Sequence, residues 1–377
     1  MATPEQPEWY KELQAKIPPE LFPALGQPGG APRLATELPK RYPAAEVATA
    51  GSEPRRIWEL IGLFYRNQSL WHDAILIYDT MYRHFLEEQT RTHSRIHKGM
   101  PLVWISDCYE SIANIPLAKR FRMLTLCEDA ITMSGNVDPI ETGSYFRLAW
   151  RHGLPHSELN RYSTEAYDIA TNYPHEAFFP EFVLQELDTN WQVEVPSAND
   201  ASLYVANTLY LQYLISRLGD KTGKGLERLA HYVLSCIPGC RTARRKRSGS
   251  TDYDVVCSIE GPAIDFREEV GRYFVRECKD WAAPADFSAF AKFCRVLDSV
   301  KARFGIIFSS EGITGEKGGT DARLEQIKVF QDRGLVIVVV NQRDLDAVAT
   351  GVNFVSLLRA KYEQVRLELR GSTAMPA

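Results

Sequence analysis

An α+β protein is predicted: an all-α region of helical hairpins, followed by an α/β domain built on a mixed central sheet. Three observations carry this expectation. Apolar, small and aromatic residues recur at helical spacing through residues 57–219. Beyond that point, β-branched and aromatic runs near 252–259, 272–279, 304–308 and 335–340 alternate with helical stretches. The chain has 377 residues, enough for two or three domains with sizeable cores.

The elements follow in order. Residues 1–54 hold ten of the 21 prolines, with Gly29-Gly30 and short Ala-rich pieces. That density forbids long helices and weakens strands, so an extended or partly disordered arm is expected, with a short helix near Trp9. It would dock on a partner or wrap the domain behind it. Residues 55–219 form the helical domain. One hairpin is predicted over 58–65 and 74–82, a second over 104–109 and 118–130, and a third over 145–150 and 166–170. Hairpins recur roughly every forty residues, as in stacked helical repeats, and the region resembles degenerate tetratricopeptide-like repeats. A long amphipathic helix is expected over 200–218, broken by Asp220-Lys221-Thr222-Gly223, which sets a boundary for the last domain at 220–377. Within it the predicted order is a helix at 224–236, strands near 240–247, 252–259 and 272–279, and a helix at 286–299. A strand at 304–308, a helix at 321–332, a strand at 335–340 and a final helix complete it. On the second of these helices Phe287, Phe290, Ala291, Cys294 and Leu297 line up to pack on the sheet.

The chemistry concentrates in Tyr273-Phe274-Val275-Arg276-Glu277-Cys278-Lys279. Side chains alternate across a strand, so Tyr273, Val275, Glu277 and Lys279 share one face and Phe274, Arg276 and Cys278 the other. Two charges ending an apolar strand are costly unless they have a task. About twenty residues earlier, Thr251-Asp252-Tyr253-Asp254-Val255-Val256 offers a second acidic strand start. Asp254, Glu277 and the Cys278 carbonyl are oxygen donors of the kind Mg²⁺ or Mn²⁺ takes, and Lys279 would lie beside a water on that cation. Asp252 competes with Asp254 for the ligand role, and Asp254 is preferred because it adjoins the apolar pair. Glu227 lies on a helix whose stripe is Leu226, Leu229, Ala230, Val233 and Leu234. It either reaches over the sheet toward a metal or flanks the core in solvent. His231 reads as a packing or surface histidine.

These residues, with Gly225-Leu226-Glu227 preceding them, resemble the Mrr-like restriction endonucleases of the PD-(D/E)xK nuclease superfamily across residues 221–367. The resemblance implies a restriction-endonuclease-like fold in which Asp254 and Glu277 are metal ligands, Lys279 is the catalytic lysine and Glu227 a supporting acid. Tyr253 stands where the superfamily's name has proline. The gap between Asp254 and Glu277 is long, with an acidic insert around 265–269. A Gly-rich loop at 312–319 reads as a surface loop more than a phosphate cradle.

Composition narrows the classes. Hydrophobic content of 45% and charged content of 24% are those of a soluble globular protein. A net charge of −4 argues against a chain coated in nucleic acid, so binding to DNA must be local. Arg241, Arg244, Arg245, Lys246 and Arg247 supply a basic patch just before Asp254, read as a hairpin aimed at a phosphate backbone or as a plain basic loop. Seven scattered cysteines give no disulfide framework, and Cys236 and Cys240 lack the second pair a zinc site needs. Every histidine lies at or before His231, so His-metal chemistry is not available to the last domain. There is no phosphate-binding Gly-x-x-x-x-Gly-Lys-Ser/Thr loop, no signal peptide, and no apolar run long enough for a bilayer, which together suggest a cytoplasmic home. The expected function is a metal-dependent DNA endonuclease, a defence effector whose helical domain senses a trigger or protein partner. The alternatives are a nuclease directed at RNA or free ends, and a helical interaction module with an inactive nuclease-like domain. Double-strand cleavage calls for two active sites, which suggests a homodimer.

Overall fold

The structure is a computed structural model. It describes residues 6–132, 143–174, 176–187, 204–219, 223–237, 239–242, 255–259, 266–279, 283–314 and 322–367. The chain divides into two compact units, Met1–Thr189 and Asn190–Ala377.

The described part of the first unit is helical. Its helices are α1 (Glu8–Lys16), α2 (Gly30–Arg41), α3 (Ala44–Ala48), α4 (Glu53–Asn67) and α5 (Trp71–Thr92). They continue as α6 (Gly99–Ser111), α7 (Ile115–Thr132), α8 (Gly143–Arg151), α9 (His156–Asn172) and α10 (Pro180–Glu186). The three hairpins expected at 58–82, 104–130 and 145–170 fall on the pairs α4–α5, α6–α7 and α8–α9. The arm expected over residues 1–54 is not extended: α1, α2 and α3 pack on α4 and α5, burying Leu13, Leu34, Leu38 and Val47 completely. Four of the prolines sit where helices tolerate them, while Pro39 lies inside α2. Pro7 and Pro43 are N-caps, and Pro32 and Pro54 sit in first turns, where a missing N–H interrupts no helical hydrogen bond. An Arg56–Glu12 pair at 2.7 Å fastens α1 to α4. Where α4 meets α5, Gly62 leaves the room that the buried Tyr78 ring occupies. Among the described residues no helix is long and apolar enough to cross a membrane.

The second unit is mixed. It comprises α11 (Thr208–Ser216), α12 (Lys224–Ser235), β1 (Cys240–Thr242), β2 (Val255–Ile259), α13 (Phe266–Val270), β3 (Tyr273–Lys279) and α14 (Phe287–Val300). Then come β4 (Phe304–Ser309), α15 (Ala322–Arg333), β5 (Val336–Val340), α16 (Gln342–Ala349) and α17 (Phe354–Arg366). The boundary expected at 219/220 lies inside this unit, because α11 packs on α12 and α16. The long helix expected over 200–218 is also shorter. It starts at Thr208, where the Asn207 side chain accepts from the Leu209 and Tyr210 N–H groups, and Tyr204–Asn207 before it is not helical. Asp200 lies outside the described residues.

The five strands run in the order β1-β2-β3-β4-β5, antiparallel from β1 to β3 and parallel from β3 to β5. Helices cover both faces, which is why β4 and β5 are continuous apolar runs buried along their whole length. On one face Val275, Ile307, Ile337 and Val339 pack with Phe290, Phe293 and Leu297 of α14 and Val329 of α15. Phe287, expected in that stripe, is 49% exposed at the start of α14, and Phe293 and Val296 bury instead. On the other face Phe304 meets Tyr362 and Phe308 meets Phe354, both from α17. The stripe of α12 is buried as its spacing predicts.

Candidate functional site

The central strand β3 carries most of the site, and its two-residue period sorts the side chains. Val275 is fully buried in the α14 cluster. Glu277 and Lys279 follow it onto that face, and Lys279 Nζ is ion-paired with Glu277 Oε1, the two side chains being 17% and 11% exposed. A pair this far removed from water is costly to maintain by itself, and it sits where three parallel strands end. Lys279 is in register with Ser309 at the end of β4, and Glu277 with Ile307. The Ser309 hydroxyl is buried and donates to the Gly312 carbonyl at 2.8 Å. Beyond it, Ala285 N–H donates to Gly312 O at 2.9 Å and Thr314 N–H to Ala285 O at 3.0 Å. The start of the predicted Gly-rich loop is thus tied to the chain leaving β3, while residues 315–319 lie outside the described residues.

Phe274, Arg276 and Cys278 point to the opposite face. Arg276, only 5% exposed, donates from Nη1 to Cys278 Sγ at 3.1 Å, and its Nε has no partner among the described residues. Cys278 Sγ lies 4.0 Å from the Leu226 carbonyl. The first turn of α12, which holds the exposed Glu227, therefore packs on the face of β3 opposite the Glu277–Lys279 pair. His231 Nδ1 is 2.6 Å from the Thr242 hydroxyl and so joins α12 to β1. Burial pushes the Cys257 thiol up to about 12 and Cys240 well upward too, against the pull of the Arg276 charge. Both stay protonated at neutral pH and are poor nucleophiles.

The antiparallel ladder places Val255, the first residue of β2, opposite Arg276. Asp254 precedes it in the sequence and lies outside the described residues, as do Asp252, Arg244, Arg245, Lys246 and Arg247. Arg241 is on β1, half-buried. Among the described residues no group of three or more His, Cys, Asp or Glu side chains gathers as metal ligands. What they offer a hard divalent cation is the Glu277 carboxylate with the adjacent Cys278 carbonyl, a donor set of the right chemistry that needs a further carboxylate to be complete.

The buried Arg276 was missed by the sequence reading, although its period between Phe274 and Cys278 signals it. A second group was also missed: Arg66, Asp107, Glu110, Arg122, Arg147 and Arg151 in the helical unit, which come from four helices and share no motif. No protein-family model matches the chain, and comparison with curated proteins and with solved structures finds no match to either.

Proposed function

We propose that the second unit is a metal-dependent nuclease that hydrolyses DNA phosphodiester bonds, with Asp254, Glu277 and the Cys278 carbonyl as cation ligands and Lys279 as the catalytic amine. The observation that carries this reading is the Glu277–Lys279 pair, held on one face at the end of the central strand. The β2–β3 register supports it, since Asp254 is bonded to the residue that faces Arg276, one position before Glu277. A bound Mg²⁺ or Mn²⁺ would acidify a water and offset charge building on the phosphate. Glu277 holds the Lys279 ammonium in place, the two side chains being largely shielded from water. From there Nζ donates to the attacking water or to a non-bridging phosphoryl oxygen, where negative charge develops. Arg241, with Arg244, Arg245, Lys246 and Arg247, would meet the phosphate backbone. Glu227, on the opposite face of the sheet, would have to reach past the end of β3 to take part.

Supercoiled plasmid, linear duplex and structured RNA, each incubated with Mg²⁺ or Mn²⁺ and then with chelator, test the reading. Plasmid cleavage that chelator abolishes is expected, with Asp254→Ala and Lys279→Ala inactive. Equal activity of these variants and the wild type would remove the assigned site. Cleavage of RNA alone would keep the site and change the substrate, and no cleavage of any of the three would remove the nuclease reading.

A further inference from the structure

The helical unit contains a concentration of arginines that its own carboxylates do not balance. Asp107 and Glu110, three residues apart on α6, are shared by four guanidiniums from three other helices. Asp107 pairs with Arg66 of α4 at 3.3 Å, with Arg122 of α7 at 3.2 Å and with Arg147 of α8. Glu110 pairs with Arg122 at 2.6 Å and Arg151 at 2.5 Å. Arg122 is completely buried, yet its Nε–H has no partner among the described residues. Its Nη1 donates to His152 Nε2 at 2.5 Å. Burial, then the Arg122 charge, lowers His152 to about 4, so the imidazole is neutral at pH 7 and adds no charge. Four guanidiniums against two carboxylates leave two positive charges in excess at a place only partly open to water.

The arginines also repel one another. Burial lowers Arg147 from its ordinary value, and the Arg151 and Arg66 charges lower it further. Each guanidinium has five donors in a planar fork, far more than two carboxylates can accept. Arg66, Arg147 and Arg151 are 24%, 31% and 41% exposed, so the donors left over are within reach of a small ligand. The group that matches this charge and geometry is a phosphomonoester dianion, bound through paired N–H donors. Next to it, the Arg151 guanidinium lies 5.8 Å from the centre of the Trp150 ring, and that ring is 71% exposed. An indole beside a phosphate site is a stacking surface for a nucleobase.

We infer that Arg66, Arg147 and Arg151, braced by Arg122, form a binding site for the phosphate of a small nucleotide, with Trp150 receiving its base. The site lies in the helical unit and is independent of the nuclease reading. Calorimetric titration of the full chain in low-salt, phosphate-free buffer tests it with inorganic phosphate, adenosine 5′-monophosphate and adenosine as probes. The monophosphate is expected to bind, inorganic phosphate more weakly, and adenosine not at all, with affinity falling as salt rises. Arg147→Gln/Arg151→Gln should weaken the monophosphate by at least about tenfold, since charge-assisted hydrogen bonds are removed. Arg151→Ala alone, at the most exposed member, guards against a folding defect and should weaken it in the same direction. Trp150→Leu should weaken the monophosphate and leave inorganic phosphate unchanged. Absence of binding by both phosphate probes, or wild-type affinity in the folded arginine variants, overturns the site. Equal affinity for phosphate and the monophosphate overturns the nucleotide assignment.

Discussion

The helical unit encloses an ion pair with no access to water, and its removal should be costly in a specific way. Lys98 and Glu128 are both fully buried, and Nζ donates to Glu128 Oε1 at 2.8 Å, to Gln89 Oε1 at 2.7 Å and to the Ile96 carbonyl at 2.7 Å. The Lys98 backbone N–H also donates to Glu128 Oε1 at 3.0 Å, while Oε2 has no partner among the described residues. Burial lowers Lys98 and raises Glu128, so each charge persists largely through the other. Lys98→Met keeps the apolar stem and deletes the ammonium, stranding a carboxylate. Breaking one side of such a pair costs about 3–5 kcal/mol, whereas neutralising both sides is often close to neutral. Glutamine at 128 keeps an acceptor for the Lys98 N–H, so Lys98→Met/Glu128→Gln should return to within about 1–2 kcal/mol of the wild type. Five of the seven tryptophans lie in residues 1–189, so urea unfolding followed by tryptophan fluorescence reports mainly on this unit. In Lys98→Met the Glu128 carboxyl, raised when folded, favours the folded state at low pH and loses that contribution as pH rises through its folded value. The deficit relative to wild type should therefore shrink as pH falls toward 4. A single variant costing under about 1 kcal/mol, or a double variant costing the sum of the singles, would refute the reasoning.

Three further outcomes are expected. Lys279→Ala should lower metal-dependent plasmid cleavage by about 10²–10³-fold, measured by gel under single-turnover conditions on protein shown to be folded by circular dichroism. His152 is lowered to about 4 in the folded protein, so the unfolded chain takes up its proton first. Its contribution is present above the ordinary value near 6.5 and is lost as pH falls from there toward 4. After discounting for partial exposure this is about 1–2 kcal/mol, and His152→Gln should flatten that part of a stability-against-pH curve. Gly62→Ala would place a methyl into the ring of Tyr78, which is 1% exposed. Alanine's helix propensity offers about 1 kcal/mol and overpacking removes about 1–3, so a net loss is expected, and a raised melting temperature would show that the ring can move.

The fold was legible where a periodicity ran along an element whose packed face is covered from end to end. The stripe of α12 and the buried runs of β4 and β5 bury as their spacing predicts, because one helix face or two sheet faces are covered along the whole element. Proline density misled at residues 1–54. Counting prolines says nothing of their position in a turn, and Pro7, Pro32, Pro43 and Pro54 sit where a helix tolerates them. The start of α11 misled for a related reason. Apolar residues continue upstream of Thr208, but the Asn207 side chain takes the first free N–H groups and ends the helix there.

The site was legible only in part, and the division is physical. Glu277 and Lys279 are two residues apart on one strand, so a period of two places them on one face with no knowledge of the fold, and their ion pair follows. The arginine cluster has no such internal rule. Arg66, Arg122, Arg147 and Arg151 are brought together by how α4, α6, α7 and α8 pack, and no spacing along the chain encodes that packing. Arg276 falls between these cases. Its period puts it among Phe274 and Cys278 on an inward face, yet an arginine on an exposed strand end would follow the same period. Only the helix laid over that face, with the Leu226 carbonyl 4.0 Å from Cys278 Sγ, turns the position into a buried cation without a carboxylate partner among the described residues. Such a charge is tolerated where negative charge lies within reach through a low dielectric. Asp254, one residue before the Val255 that faces Arg276, would by the two-residue period share the face of Glu277, so it does not supply that charge. Arg276→Met should therefore leave the unfolding midpoint of the second unit, followed by circular dichroism, unchanged or raise it, whereas a loss of more than about 1 kcal/mol would show that the guanidinium is compensated.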